Sequence, residues 1–236
     1  MTHVPHRRFG NLLDAIRELV FGLEDGLVST LGAVAGIAAG TEDGRIVVLS
    51  GLVLVAVESL SMAAGSYLSN KSHCEMLKKR IEDERREIDE KPEEETEELR
   101  VMYRKRGFSE DEVAILVKRI TADKKLWLEE MVAKELRIGA GDLEEPKSRA
   151  LIMGAAYIAG GAVPVLPFLV LPVGAALRVS VVATIAALFA IGFVKAGATG
   201  RSRWKGGMEM VVVASLAAII GYMIGGFIGG VFGLKV

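Results

Sequence analysis

Asp25, Glu58 and Met62 are the residues whose types and spacing point most directly to chemistry. Asp25 lies in an apolar run from Leu19 to Ala39, and Glu58 and Met62 lie in a second, from Ile46 to Ser69. Each run is long enough to cross a bilayer as a helix. If the two helices are antiparallel and end at one membrane face through Leu19 and Ser69, Asp25 lies about 9 Å deep and Met62 about 10 Å deep. Glu58 sits one turn deeper than Met62 on the same face. A carboxylate in hydrocarbon is costly and normally faces a cavity, a partner or a pathway. Carboxylates beside a thioether suit a divalent transition metal that has to cross the membrane. Glu24 adjoins Asp25, but neighbouring helical residues diverge by about 100°. It therefore points elsewhere, as a proton site or towards the interface.

A second group of acids lies further along. Glu84 and Glu87 are spaced i,i+3, as are Glu95 and Glu98, and Met131 and Glu135 are spaced i,i+4. Three helices presenting these pairs to a common centre would form an oxygen-rich cage with one sulfur ligand. A solvated acidic surface is the competing reading, because Lys and Arg alternate with the acids here. His73 and Cys74 have no second pair to complete a site.

These residues need elements to position them. The chain has 236 residues, 51% of them hydrophobic, and a mean hydropathy of +0.37. Apolar runs at 19–39, 46–69, 151–171, 173–194 and 208–232 predict five transmembrane helices. The third and fourth are separated by Pro164, Pro167, Pro172 and Gly174, which offer the turn. The net charge of −1 conceals segregation: 22 of the 30 acidic and 18 of the 29 basic residues lie between Lys71 and Lys147. That stretch reads as a polar helical insert. The expected organisation is residues 1–70 with spans one and two, an insert at 71–147, and residues 148–236 with spans three to five. Cys74 is the only cysteine, which excludes a disulfide framework. The N-terminus, with His3, His6, Arg7 and Arg8, lacks the pattern of a cleaved signal peptide.

Basic flanks set the expected orientation. Arg7, Arg8 and Arg17, then Lys71, Lys78 and Lys79, then Lys147 and Arg149, then Lys195, Arg201, Arg203 and Lys205 all fall on one side of a five-span chain. Only Arg45, Arg178 and Lys235 fall on the other. The N-terminus and insert are thus expected in the cytosol and the C-terminus outside. Within the insert, span two is expected to continue unbroken to Glu90, with Pro92 opening a helix that Gly107 ends. Ser109 with Glu112 forms a capping box, Thr121 or Asp123 starts the last helix, and Gly139 and Gly141 end it. Gly32, Gly36 and Gly40, and Gly221, Gly225, Gly229 and Gly233, recur every fourth residue, a spacing that lets helices approach closely.

The stretch Phe21-Gly-Leu-Glu-Asp-Gly-Leu-Val-Ser-Thr, with Ser61-Met-Ala-Ala-Gly-Ser-Tyr-Leu-Ser, resembles the vacuolar iron transporter family of iron/manganese carriers. Glu84 to Glu98, with Pro92-Glu-Glu-Glu, and Trp127-Leu-Glu-Glu-Met131 through Glu135 resemble its cytoplasmic metal-binding domain. The resemblance implies an all-α polytopic protein of five transmembrane helices with a cytoplasmic metal-binding insert between the second and third. It implies a homodimer, with the glycine stripe of span one at the dimer seam, that exports Fe²⁺ or Mn²⁺ from the cytosol by proton antiport. Asp25 and Met62 take the family's transport-path positions, with Glu58 and Glu24 as the nearby carboxylates. Glu84, Glu87, Glu95, Glu98, Met131 and Glu135 take its metal-ligand positions. Val132 stands where the family often has a second Met, and Ser66 where it often has Glu. The resemblance points to a prokaryotic member in the cell membrane. Divalent metal, protons and the bilayer are the expected partners, with no prosthetic group, no nucleic acid and no enzymatic activity. Two rivals remain. A membrane-tethered metal buffer or sensor would use the insert alone. A lipid phosphotransferase would need several aspartates at one interface, where spans one and two offer only Asp25.

Overall fold

The structure, a computed structural model, describes residues 6–41, 43–139, 143 and 146–232, with side chains from residue 15 to 231. His3, Gly141, Gly233 and Lys235 lie outside the described residues, as do the side chains of His6, Arg7 and Arg8. The described residues are helical: α1 His6–Thr41, α2 Gly44–Glu90, α3 Pro92–Lys105, α4 Glu110–Thr121, α5 Lys124–Lys134, α6 Pro146–Val165, α7 Val173–Ala198 and α8 Arg203–Phe232. A 3₁₀ turn, Leu166–Leu169, joins α6 to α7. Five of these helices, α1, α2, α6, α7 and α8, are long and apolar enough to cross a membrane. They match the five runs read from the sequence.

Two compact units divide the chain. One comprises Asn11–Tyr67 and Pro146–Val236, the other Leu68–Glu145 with the first ten residues. α2 is continuous from Gly44 to Glu90 and contributes to both.

In the membrane unit, α1 and α6 are the most enclosed of the five helices, and α8 the least. Glycines allow the inner pair to touch. A Cβ at Gly26 would meet the backbone of Gly161 at 2.9 Å, and one at Gly22 would meet the carbonyl of Met153 at 2.7 Å. The α6–α7 hairpin is tied by the Ser180 hydroxyl, which donates to the Pro164 carbonyl at 2.7 Å in a buried position. α2 and α8 turn Leu49, Leu52, Val53, Leu60, Ile219 and Phe227 outwards, as lipid-facing surfaces do.

The glycine stripes of α1 and α8 meet within the chain. Gly32, Gly36 and Gly40 of α1 pack within the same chain against Ala217, Gly221 and Gly225 of α8. A Cβ at Gly36 would stand 2.7 Å from the Gly221 carbonyl oxygen, and one at Gly225 would run into the Gly36 carbonyl. These glycines bring two helices of one chain into close contact.

The second unit packs the end of α2 with α3, α4 and α5 around Ile88, Leu99, Tyr103, Val113, Val117, Ile120, Trp127 and Met131. Local signals set its helix ends. Pro92 opens α3 with Glu93, Glu94 and Glu95 in its first turn. Gly107, at φ +90°, ends it. Ser109 and Glu112 form the complete capping box of α4, and the Asp123 side chain caps α5. α5 stops earlier than Gly139. Its last carbonyls are taken by Glu135 and Leu136 on Met131 and by Ile138 on Val132, with Arg137 in the left-handed region at φ 54°.

Gly36→Ile or Gly225→Ile is expected to cost about 1–3 kcal/mol or more by overpacking the α1–α8 crossing. Gly226→Ala, where nothing lies within 4 Å, is expected to be tolerated. Thermal melting of the purified variants in detergent measures both. Equal behaviour of the Gly225 and Gly226 variants would remove the crossing as a structural requirement.

Candidate metal sites

The insert concentrates its acids at one end of its own core. On α2, Glu84 is one turn before the core residue Ile88. On α3, Glu95 is one turn before Leu99. On α5, Glu135 is one turn after Met131. Three apolar stripes are thus each extended by a carboxylate, and these carboxylates converge. One oxygen from each of Glu84, Glu95 and Glu135 lies within 4.8 Å of the others. Glu84 is 3% exposed and Glu95 6%, while Glu135 stands at the exposed rim. Glu84 Oε1 and Glu95 Oε2 are buried without a hydrogen-bond partner.

Burial, then the surrounding carboxylates Glu135, Glu95, Glu87 and Glu98, pushes the Glu84 carboxyl up to about 8. Burial, then Glu98, Glu135 and Glu87, pushes Glu95 up to about 7, against a hydrogen bond from Glu84 that favours its charged form. Glu135 is also raised, by desolvation on its inner side and then by Glu98 and Glu87, with Arg80 opposing. Such a cluster holds either protons or a hard, multiply charged cation. Of the six insert residues read from the sequence, Glu84, Glu95 and Glu135 form the cluster, and Glu87 and Glu98 border it closely enough to repel its charge. Met131 is fully buried in the apolar core. Glu98 and Glu135 also line a cleft of about 630 Å³ between α3 and the end of α5.

In the membrane unit, Asp25 is half-buried on α1 and close enough to Glu58 of α2 for their charges to interact. Tyr157 of α6 is fully buried beside them, within electrostatic reach of both carboxylates. Its hydroxyl lies 2.7 Å from Ser29 Oγ, which donates to the Asp25 carbonyl, also at 2.7 Å. Met62 is half-buried one turn from Glu58 on α2. Tyr157 is absent from the sequence-level reading.

So is Glu18. It is 7% exposed, and its Oε2 accepts a hydrogen bond from the Ser66 hydroxyl at 3.2 Å. Glu18 lies two turns before Asp25, on the same face of α1, and Ser66 lies one turn after Met62. A carboxylate from α1 thus lies beside Ser66. Glu24 turns the other way. It lines a separate cleft of about 380 Å³ with Lys195, Thr199, Arg201 and Glu209.

A family model described as the VIT family matches residues 16–226. Vacuolar iron transporter 2 of Oryza sativa is 32% identical over 211 residues, covering 87% of this chain and 84% of that protein. Vacuolar iron transporter 1 of Arabidopsis thaliana is 28% identical over 206 residues, covering 87% and 82%. Protein CCC1 of Saccharomyces cerevisiae is 29% identical over 217 residues, covering 86% and 66%. These relatives are from plants and a yeast and lend no support to the expected prokaryotic origin.

The raised carboxyls give the metal-free protein a definite pH response. The folded insert holds protons that the unfolded chain has released above about pH 4.5, so stability falls as pH rises towards 8. Melting followed through Trp127, in the insert core, should occur several degrees higher at pH 5 than at pH 8. Excess Mn²⁺ at pH 8 should recover the loss, and Glu84→Gln should flatten the dependence. A melting point that rises with pH in the metal-free protein would contradict the raised values.

Proposed function

Because the chain belongs to the VIT family, we propose that it is a membrane transporter that carries Fe²⁺, with Mn²⁺ as a second cargo, out of the cytosol in exchange for protons. The observation that carries this reading is the electrostatic interaction between Asp25 on α1 and Glu58 on α2. Two carboxylates sharing one site in a span must be compensated by a cation or by protons. A site alternating between the two exchanges one for the other. Met62, one turn from Glu58, adds a thioether that favours transition metals over Mg²⁺ and Ca²⁺.

The order of events follows from position. The ion collects on the insert at Glu84, Glu95 and Glu135, with Glu87 and Glu98 drawing it in and Met131 as the soft ligand. Glu18 receives it at the end of α1 nearer the N-terminus, and Asp25, Met62 and Glu58 hold it deeper. Tyr157 and Ser29 orient the Asp25 segment. Protonation from the far side releases the ion, with Glu58 as the coupling group and Glu24, in its own cleft, as the alternative. The basic flanks support a cytosolic N-terminus and insert, and the transporter works as a homodimer. The vacuolar naming of the relatives favours an organelle membrane. One observation favours a second reading, a membrane-tethered metal buffer: the insert cluster is complete without any residue of the spans.

Metal flux into proteoliposomes tests the two. Asp25→Ala or Met62→Ala is expected to reduce Fe²⁺ flux by more than about tenfold with the protein still folded. Glu58→Gln is expected to retain metal binding but lose acceleration by a pH gradient. The double variant Glu84→Gln with Glu95→Gln should raise the Fe²⁺ concentration needed for half-maximal flux without stopping it. Unchanged flux in the Asp25 and Met62 variants, or no flux in wild type, favours the buffer.

A further inference from the structure

The turn of the hairpin formed by α7 and α8 carries a second kind of chemistry. Lys195, Arg201, Arg203 and Lys205 lie within eleven residues, all exposed, with no acid before Glu209. α8 begins at Arg203 and has no acidic residue in its first turn, so its positive end is uncompensated. The turn is shaped by Gly200 at φ +69°, and the two helices meet closely at Gly192 and Gly206.

The cations are held beside an aromatic slab. The Trp204 ring is 5.4 Å from Phe189 and 6.0 Å from Phe193, and Arg203 lies over Phe193 at 5.6 Å. Arg203 also crosses Gly197, where a Cβ would meet its Nε at 2.8 Å. Trp204 remains 69% exposed. Behind the turn lies the cleft of about 380 Å³ lined by Lys195, Thr199 and Arg201. Its acids, Glu24 and Glu209, do not cancel the turn. Glu209 approaches Arg201 at 3.8 Å, but both side chains are largely exposed, and such pairs are weak.

We propose that this turn is a binding site for an anionic phospholipid. The phosphate sits among Arg201, Arg203, Lys205 and the start of α8, and the acyl chains lie along Trp204, Phe189 and Phe193. Charge complementarity selects the headgroup. The exposed aromatic slab selects a lipid over free phosphate, which has no use for an apolar surface. Each basic side chain near an anionic surface raises occupancy about fivefold. The proposal rests on α7 and α8 crossing the membrane and is independent of what is transported.

The full-length protein in nanodiscs tests it, with brominated phosphatidylglycerol or brominated phosphatidylcholine as the quencher at equal mole fraction. Trp204→Phe identifies the Trp204 part of the fluorescence. The glycerol lipid is expected to quench Trp204 at least about threefold more than the choline lipid, with the excess falling as salt rises. The triple variant Arg201→Gln, Arg203→Gln, Lys205→Gln should lose the excess, and Arg201→Lys with Arg203→Lys should keep most of it. Should the triple variant fail to insert, the salt titration of wild type decides. Equal quenching by the two lipids, an excess indifferent to salt, or an excess that survives the triple variant overturns the site. Loss of the excess on adding inorganic phosphate at constant ionic strength also overturns it, in favour of a soluble anion.

Discussion

Removing carboxylates from water without giving them a counter-cation is the constraint around which this protein is organised. A buried acid of this kind is stable only when protonated or bound to metal. Glu84 and Glu95 are enclosed by the insert's own core, with one oxygen of each left without a partner. Asp25 and Glu58, on two spans, lie within electrostatic reach of each other. Replacing any of these acids with an apolar residue of similar size would relieve a cost that the fold carries for no structural return. Under the proposed function the return is chemical: each site would exchange protons for a divalent ion.

Close backbone approach makes the membrane site possible. Glycines at 22, 26, 160 and 161 bring α1 and α6 into contact, which seats the buried ring of Tyr157 beside Asp25. A second set, at 36, 221 and 225, draws α8 onto α1 further along the helix. α1 is thereby clamped by both helices, and Glu18 and Asp25 fall on one line of it, two turns apart. In the insert, caps and a proline fix three short helices against the end of α2 so that three apolar stripes end in acids at one place.

Much of this was legible in the sequence because the signals were local or periodic. Apolar run length gave the five spans, and Pro92, Ser109 with Glu112, and Asp123 gave the insert's helix starts. The acid spacings gave Glu84, Glu95 and Glu135, although spacing alone could not separate these converging members, two of them buried, from the neighbouring Glu87 and Glu98. What was missed depended on tertiary contacts. Glu18 was passed over because it lies one residue outside the apolar run beginning at Leu19, and only its contact with Ser66 reveals it. Tyr157 is one aromatic in a span, and only the packing of α6 against α1 places its hydroxyl near Asp25. Four-residue glycine spacing says that helices approach closely but not which helices, so the α1–α8 crossing within the chain appears only in the packing. The early end of α5 reflects Arg137 adopting a left-handed conformation that its residue type does not announce.

Proton release on metal binding tests the exchange of protons for metal most directly. Mn²⁺ would be titrated into the weakly buffered full-length protein in detergent near pH 7, with released protons counted by a pH indicator. At that pH Glu84 and Glu95 still hold protons, and a metal ligand must give its proton up. The account predicts about one proton or more released per ion bound, with the release reduced by Glu84→Gln with Glu95→Gln. Tight Mn²⁺ binding with no proton released, or release unaffected by that double variant, would contradict it.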